Sequence, residues 1–406
     1  MLNRIWASLI VISLLWGISA SLFGYSEIAS ALVASLFDMA ELATKICLGL
    51  IGVMCFWLGL MEIANVSGLS EKLARGLAPL FSRLMPEVPR GDKAISSISM
   101  NMAANMLGLD NAATPAGIQA MRDLQVHNKT PSLLSNAQIL FLVLNTSSVT
   151  LIPTTVFVYR AQLGAMTPTD VFLPILLATS CSTLVGLLTV AWLQKLKLWS
   201  PVVLAYFIAA AVIVGGLLAA SVDEGEIGKR SALVGNLTLL VLIAGLFLYG
   251  FKRRVRMYDA FIDGAKNGFS IAIGIIPYLV AMLFALGLLR ASGVLEFGLE
   301  QLRYAVAFMG GDTRFVDALP TALMKPFSGS GSRALMIETM EVYGADSFAG
   351  RLAAVYQGST ETTFYVLAVY CGAVAITRTR YALACGLIAD GAGIVAATLL
   401  AYCFFG

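Results

Sequence analysis

Nine stretches of about 20 mostly apolar residues recur along the chain, near 5–25, 43–64, 136–160, 170–193, 201–221, 232–251, 268–290, 350–376 and 380–404. Each is long enough to span the hydrocarbon core of a bilayer as a helix. In that medium every backbone N–H and C=O must find a partner inside the protein, so continuous runs of this length can only be helical. Composition agrees. Of the 406 residues 58% are apolar and 13% charged, against about 25% charged in a soluble domain. The chain therefore reads as an all-α polytopic membrane protein with about nine spanning helices. A soluble enzyme, a disordered chain and a nucleic-acid binder are excluded, and a net charge of +3 adds nothing to the case for nucleic acid.

Two more apolar segments, 95–121 and 317–342, are interrupted midway by Gly, Pro, Asn or Ser and read as re-entrant helical hairpins. Basic residues orient the whole, because Lys and Arg favour cytoplasmic loops. With the N-terminus inside, most of the 27 Lys and Arg fall on the cytoplasmic side, the run Lys252-Arg253-Arg254 among them. The acidic loop Asp223-Glu224-Gly225-Glu226 falls outside. Arg160 and Arg351 are also assigned to outside loops. The six cysteines all lie in apolar stretches without zinc-ligand spacing, and His127 is the sole histidine. Buried apolar thiols are expected, not a disulfide framework or a metal cage. No nucleophile–His pair, HExxH or dinucleotide fingerprint occurs, so neither an enzyme nor an organic cofactor is expected.

The order of features repeats. Ser67-Gly68-Leu69 and Ser292-Gly293-Val294 each end a span and start an amphipathic stretch. A hairpin follows in each case, centred on GLDNAATP (108–115) or KPFSGSGS (325–332). Next come two broken helices, NTSSVTLIPTT (145–155) and QGSTETTFYV (357–366), and one closing span each. The division is a first repeat over 1–200, a linking helix and outside loop over 201–231, and a second repeat over 232–406. Each half holds an even number of crossings and one helix joins them, so the expected repeats are inverted. That architecture places a binding site near the bilayer midplane.

Polar groups at the interruptions are the candidate ligands. Asn101 and Asn105 are four apart on one helix face. Asp110 and Asn111 follow the Gly108 turn, and Thr114 before Pro115 reads as an N-cap. In the first broken helix Asn145, Thr146, Ser148 and Thr150 precede Pro153. In the second hairpin Ser328 and Ser330 form a donor-rich tip beside Lys325 and Arg333, suited to an anionic or polar ligand. The bland alternative is a structural pair of Glu338 with Lys325 or Arg333. The second broken helix supplies Gln357, Ser359, Thr360 and Glu361. Glu361 is the most informative, since an intramembrane carboxylate costs roughly 2.5–3.5 kcal/mol even on lenient scales. Glu361, Asp110 and Thr150 are the expected ion-coupling groups for Na⁺ or H⁺. Asp390, in the small-residue stretch ADGAG, is read equally as a packing or a functional residue.

These residues also carry a resemblance. The first half, through FWLGLMEIANVSGLSEKLARGLAPLFSRLMPEVP, NMAANMLGLDNAATPAGIQAM and NTSSVTLIPTT, closely resembles the spore maturation protein A family. The second, through IIPYLVAMLFALGLLRASGVLE, YGADSFAGRLAAVYQGSTETTFYVLAVYCGAV and LIADGAGIVAA, closely resembles the spore maturation protein B family. The chain looks like a natural fusion of the two. Both families carry the nucleoside-recognition, or Gate, membrane domain, which is similar to parts of the ferrous iron transporter B and of concentrative nucleoside transporters. The resemblance implies an inner-membrane transporter of small polar solutes, with hairpins and unwound helices around a central site. The iron transporter's GTPase domain and paired Cys ligands are missing, so iron transport is not implied. The expected protein is a secondary transporter or exchanger in the bacterial inner membrane, of a nucleoside-like solute or small organic anion. Its expected partners are the lipid bilayer, an unnamed small-molecule substrate and a second copy of itself. The alternatives are a non-transporting scaffold of envelope or spore biogenesis and a lipid flippase.

Overall fold

The computed structural model describes residues 2–23, 25–107, 110–147, 149–151, 153–219 and 227–406. Within these, the side chains of 2–5, 26, 47, 50, 110–112, 227–231, 275 and 278 are outside the description. The first half runs α1 (Leu2–Leu22), α2 (Ser26–Val66), α3 (Leu69–Leu84), α4 (Lys93–Met106), α5 (Asp110–Val126), α6 (Asn136–Thr146), α7 (Thr154–Gln162) and α8 (Phe172–Gln194). A linking helix, α9, covers Pro201–Ala219. The second half runs α10 (Ile227–Lys252), α11 (Met257–Ala291), α12 (Val294–Phe308), α13 (Leu319–Met324), α14 (Gly329–Tyr343), α15 (Phe348–Ser359), α16 (Thr363–Gly372) and α17 (Ala382–Phe405). From α2 to α8 and from α11 to α17 the order is the same: long helix, amphipathic helix, hairpin, broken pair, closing helix.

Among the described residues six helices are long and apolar enough to cross a membrane: those of α2, α8, α9, α10, α11 and α17. The other three expected crossings take different forms. One is the shorter apolar helix Trp6–Leu22. The others, 136–160 and 350–376, are split into α6/α7 and α15/α16, so neither offers one uninterrupted spanning helix. The expected span 43–64 is part of a much longer helix, α2, because no Gly or Pro stands between Tyr25 and Leu48 to stop it. Its 41 residues make a rod of about 60 Å at 1.5 Å per residue, twice the ~30 Å hydrocarbon thickness. Helix α9 is apolar on all sides and nearly bare, with Val203 its one buried residue. That is the pattern of a lipid-facing helix.

Long helices α2 and α11 lie antiparallel at the centre. Gly264 and Gly268 on α11, four residues apart, press on the backbone of α2. A Cβ at Gly264 would collide with the Leu58 carbonyl oxygen, and one at Gly268 would lie 2.6 Å from that of Met54. Farther along the pair, Gly287 meets Met39. Small residues spaced this way let two helix backbones approach closely where burial from lipid supplies no driving force. Helices α8 and α17 are antiparallel as well: Gly186 faces Ala389, and Gly393 faces Ser182, whose hydroxyl donates to the Ala389 carbonyl at 2.8 Å. The two long helices end alike, on Gly68 and Gly293, each at φ 79 in the left-handed region that glycine occupies without strain.

The base of the first hairpin is pinned by Asp92, which caps α4 by accepting from Ala94 N–H at 2.8 Å. Asp92 also meets His127, just past α5, at 3.0 Å. The Ala94 N–H first, and His127 less so, hold the Asp92 carboxyl below the usual carboxylate range. A carboxylate whose folded pKa is depressed stabilises above its unfolded pKa, and that stability is lost as pH falls through the folded value.

Two stability predictions follow from this packing. Gly264→Ala should cost about 1–3 kcal/mol through forced separation of α2 and α11, read as a lower Tm in detergent. Gly52→Ala, with nothing within 4 Å, should be neutral or gain up to ~1 kcal/mol; equal effects at both positions would refute the close-approach account. Asp92→Ala should lose about 1 kcal/mol at neutral pH, and its deficit should shrink as pH drops below about 4. A deficit independent of pH would mean the carboxylate is not the cap.

Candidate functional site

Breaking a helix frees backbone groups that must be paired inside the protein. Here the two broken helices and two hairpins satisfy one another. Helix α6 stops at Thr146, and the Thr146 carbonyl accepts from Glu361 N–H of the other break at 2.8 Å. The next carbonyl, Ser147, accepts from the Thr183 hydroxyl on α8. Each break also meets its own half's hairpin. Leu151 N–H donates to Met106 at 3.1 Å, and Phe364 N–H to Pro326 at 3.0 Å. Helix α15 ends beside the second hairpin, where the buried Lys325 ammonium donates to the Gln357 carbonyl at 2.8 Å. Side chains bridge both hairpins: Asn101 Nδ2 donates to Ala113 O at 2.7 Å, and Ser332 Oγ to Thr321 O at 2.8 Å.

All four interruptions line one cavity of about 100 Å³. Asn105 comes from the first hairpin, and Thr150, Pro153, Thr154, Thr155 and Tyr159 from the first break and α7. Lys325, Gly329 and Arg333 come from the second hairpin, and Gln357, Gly358, Thr360 and Glu361 from the second break. A water needs on the order of 10–15 Å³ by this kind of measure, so the cavity holds several waters or the polar end of a small solute. Its wall is left partly unsatisfied. Gln357 is 8% exposed and its Oε1 has no hydrogen-bond partner among the described residues. Arg333 Nε is likewise without one, while its guanidinium stands 5.7 Å above the Tyr159 ring. The half-buried Glu361 carboxylate makes no hydrogen bond or salt bridge to a described residue. Two cations on one side, a carboxylate and two amides make a surface that matches a small solute with hydrogen-bonding edges.

The sequence candidates divide into three groups. Asn105, Thr150, Gln357, Thr360 and Glu361 line the cavity. Asn101, Asn145, Thr146, Ser328, Ser330 and Ser359 are near it but spend their side chains on the scaffold. Asn101 closes the hairpin, and Asn145 accepts from Asn105 at 3.0 Å while donating to Phe141 O. Thr146 and Ser359 bond back to Val143 and Tyr356 carbonyls, and Ser328 caps α14 with Ser330 3.2 Å away. Ser148 lies outside the described residues, as do the side chains of Asp110 and Asn111.

Two expectations are corrected. Thr114 is not an N-cap: α5 already begins at Asp110 and carries Pro115 inside it. Glu338 pairs with neither Lys325 nor Arg333. Its partner is Arg290 at the end of α11, which also meets Glu296 at 2.6 Å. Lys325 and Arg333, read from the sequence as the basic neighbours of the Ser328 and Ser330 tip, are in the lining, as are Thr154, Thr155 and Tyr159, which are not among the candidate ligands. Thr155 and Tyr159 are four apart on α7, a same-face spacing that marks the pair.

A second omission is an ion network at one end of the broken helices. Arg160, fully buried, meets Asp170 at 2.9 Å and Asp346 at 3.1 Å, and donates to Ala345 O at 2.7 Å. Arg351 meets the same Asp170 at 2.7 Å. At the opposite end Leu134 N–H donates to Arg378 O, and Arg380 to Leu134 O at 2.9 Å. The finish of α6/α7 therefore lies beside the start of α15/α16, and the reverse, so the two broken helices run antiparallel.

Comparison with known proteins matches the same two halves. The nucleoside recognition (Gate) profile fits residues 47–166 and 272–377. Spore maturation protein B of Bacillus subtilis (strain 168) is 45% identical over 166 residues, 41% of this chain and 92% of that protein. Spore maturation protein A of the same organism is 42% identical over 183 residues, 45% of this chain and 90% of that protein. Each covers about half of the chain, as in a fusion of an A-like and a B-like protein.

The ion network gives a direct test of how the halves are held. Arg160→Met should destabilise by about 3–5 kcal/mol, the range for removing one partner of a buried pair. The check is thermal unfolding in detergent; a Tm within a degree or so of the parent would mean that Arg351 and water, not Arg160, compensate the carboxylates.

Proposed function

Since the chain belongs to the nucleoside recognition family and unites A-like and B-like spore maturation halves, we propose that it is a secondary transporter or exchanger of a small polar solute. The carrying observation is the cavity where four interruptions from both halves meet, with Gln357, Arg333 and Glu361 left with unspent hydrogen-bonding capacity. Buried polar groups without partners cost free energy, and a solute that supplies the partners recovers it.

In this reading the substrate is nucleoside-like or a small organic anion. Asn105 and Gln357 supply amide donors and acceptors, Thr150 and Thr360 hydroxyls, and Arg333 with Lys325 positive charge. Glu361 is the group that senses a cation, Na⁺ or H⁺. The halves act as inverted repeats, a reading supported by the antiparallel pairing of α2 with α11 and α8 with α17 and of the two broken pairs. Alternating access then arises from one set of hairpins and broken helices rocking against the α2/α11 scaffold. The protein works in the bacterial inner membrane as a homodimer with a cytoplasmic N-terminus, and without an organic cofactor.

The test is thermal stability of purified protein with nucleosides, nucleobases and small organic anions, in Na⁺ and in K⁺. A solute at 100 times its Kd adds about 2.7 kcal/mol. The expected result is a solute-specific rise in Tm that Glu361→Gln loses or makes insensitive to Na⁺ and pH, with matching counterflow in proteoliposomes. Neither stabilisation nor counterflow with any solute would overturn the transporter reading in favour of a scaffold.

A further inference from the structure

Asp390 lies outside the cavity, on α17, and is 2% exposed. Its Oδ2 accepts a 2.6 Å hydrogen bond from Thr363 Oγ1, on the first residue of α16 after the second break. Its Oδ1 is buried and has no hydrogen-bond partner among the described residues. Packing around it is close. Gly386 faces Thr363 and the Thr146 hydroxyl, and Gly393 faces Thr360 and Ser182. Ser182 cannot serve Oδ1 in this arrangement, because its hydroxyl is given to the Ala389 carbonyl.

Among the described residues, Lys325 of the second hairpin and Glu361 of the second break act electrostatically on Asp390. Lys325 donates to the Gln357 carbonyl at 2.8 Å. Helices α6, α8, α10, α15 and α16 pack against α17. Their other titratable groups with described side chains are Arg351 and Tyr356 on α15, the latter bonded to Thr398, Tyr365, Tyr370 and Cys371 on α16, Cys181 on α8, and Tyr249 and Lys252 on α10. Helix α17 itself also carries Cys385, Tyr402 and Cys403. None of these described groups gives Oδ1 a hydrogen bond.

An ionised Asp390 would be a buried charge with one hydrogen bond and one bare oxygen, which is costly. A metal cation needs a fuller oxygen shell than one carboxylate and one hydroxyl. A proton needs only the carboxylate. We propose that Asp390 is a proton-binding residue coupled to the second break. In this conformation it is the neutral acid with the proton on Oδ1 while Thr363 donates to Oδ2. When the break moves and water from the cavity reaches it, the O–H bond ionises, the proton leaves to water, and the carboxylate remains until reprotonated. Its use in coupling rests on the transporter reading; the binding of the proton does not.

The experiment is infrared difference spectroscopy of the purified full chain, titrated from acidic to alkaline buffer in K⁺, followed by a Na⁺ arm at fixed pH. The expected result is a protonated-carboxyl C=O band that disappears as pH rises, is absent in Asp390→Asn and persists in Glu361→Gln. Thr363→Ala removes the hydroxyl that favours the anion, so the band's midpoint should move to higher pH, a change that a purely packing role would not produce. A band that survives Asp390→Asn, or none at any pH in the parent, overturns the proposal. So does loss of the band on adding Na⁺ at constant pH, which would make the site a cation site. Lumenal pH in proteoliposomes, followed while nucleosides or organic anions are added, separates the two readings. Solute-driven proton movement unchanged in Asp390→Asn overturns Asp390 as the coupling residue and leaves the transporter. An Asp390-dependent band with no solute-driven movement supports proton binding and counts against the transporter.

Discussion

The structure depends on one constraint: backbone polar groups freed at membrane depth must be paired within the protein. Four interruptions would each be expensive alone, at several kcal/mol per unpaired group in an apolar medium. They are tolerated because they share partners. The Glu361 N–H reaches the Thr146 carbonyl across the two breaks, and each break reaches its own hairpin through Leu151–Met106 or Phe364–Pro326. Lys325 takes the carbonyl of Gln357 that the end of α15 leaves open. The cavity is therefore the place where side chains are released from this duty, as Gln357 Oε1 and Arg333 Nε are.

The surrounding helices hold this arrangement by close approach and by charge. Gly264 and Gly268 bring α11 onto α2, and Gly186, Gly393 and Ser182 bring α8 onto α17. At one end of the broken helices Arg160 and Arg351 bind Asp170 and Asp346. At the other, Leu134 and Arg378 pair through the backbone.

Much of this was legible in the chain. Long apolar runs dictate helices, and Gly, Pro and clustered Asn, Ser and Thr within them mark where a helix cannot continue, so both hairpins and both broken helices are found where the pattern places them. The choice of cavity residues was less legible. Hydroxyl and amide side chains next to a break can face the cavity or bond back to the local backbone. Thr150 and Thr360 face it, while Thr146, Ser359 and Asn145 bond to nearby carbonyls. Composition is the same in both cases.

The charges show the same limit. Arg160 reads as a loop residue because it follows an apolar run, yet it is fully buried, its partner Asp346 being 186 positions away. Glu338 is five residues from Arg333 on α14 but belongs to Arg290. Helix periodicity says which residues share a face and is silent on what lies opposite. The sequence by itself determined that the chain is helical and membrane-embedded, where its helices break and that its features recur in two halves, because those follow from local hydropathy and local backbone preference. Only the tertiary structure decided that the breaks meet, which polar side chains are spent on the scaffold and which charges pair, because each of those depends on contacts between segments far apart in the chain.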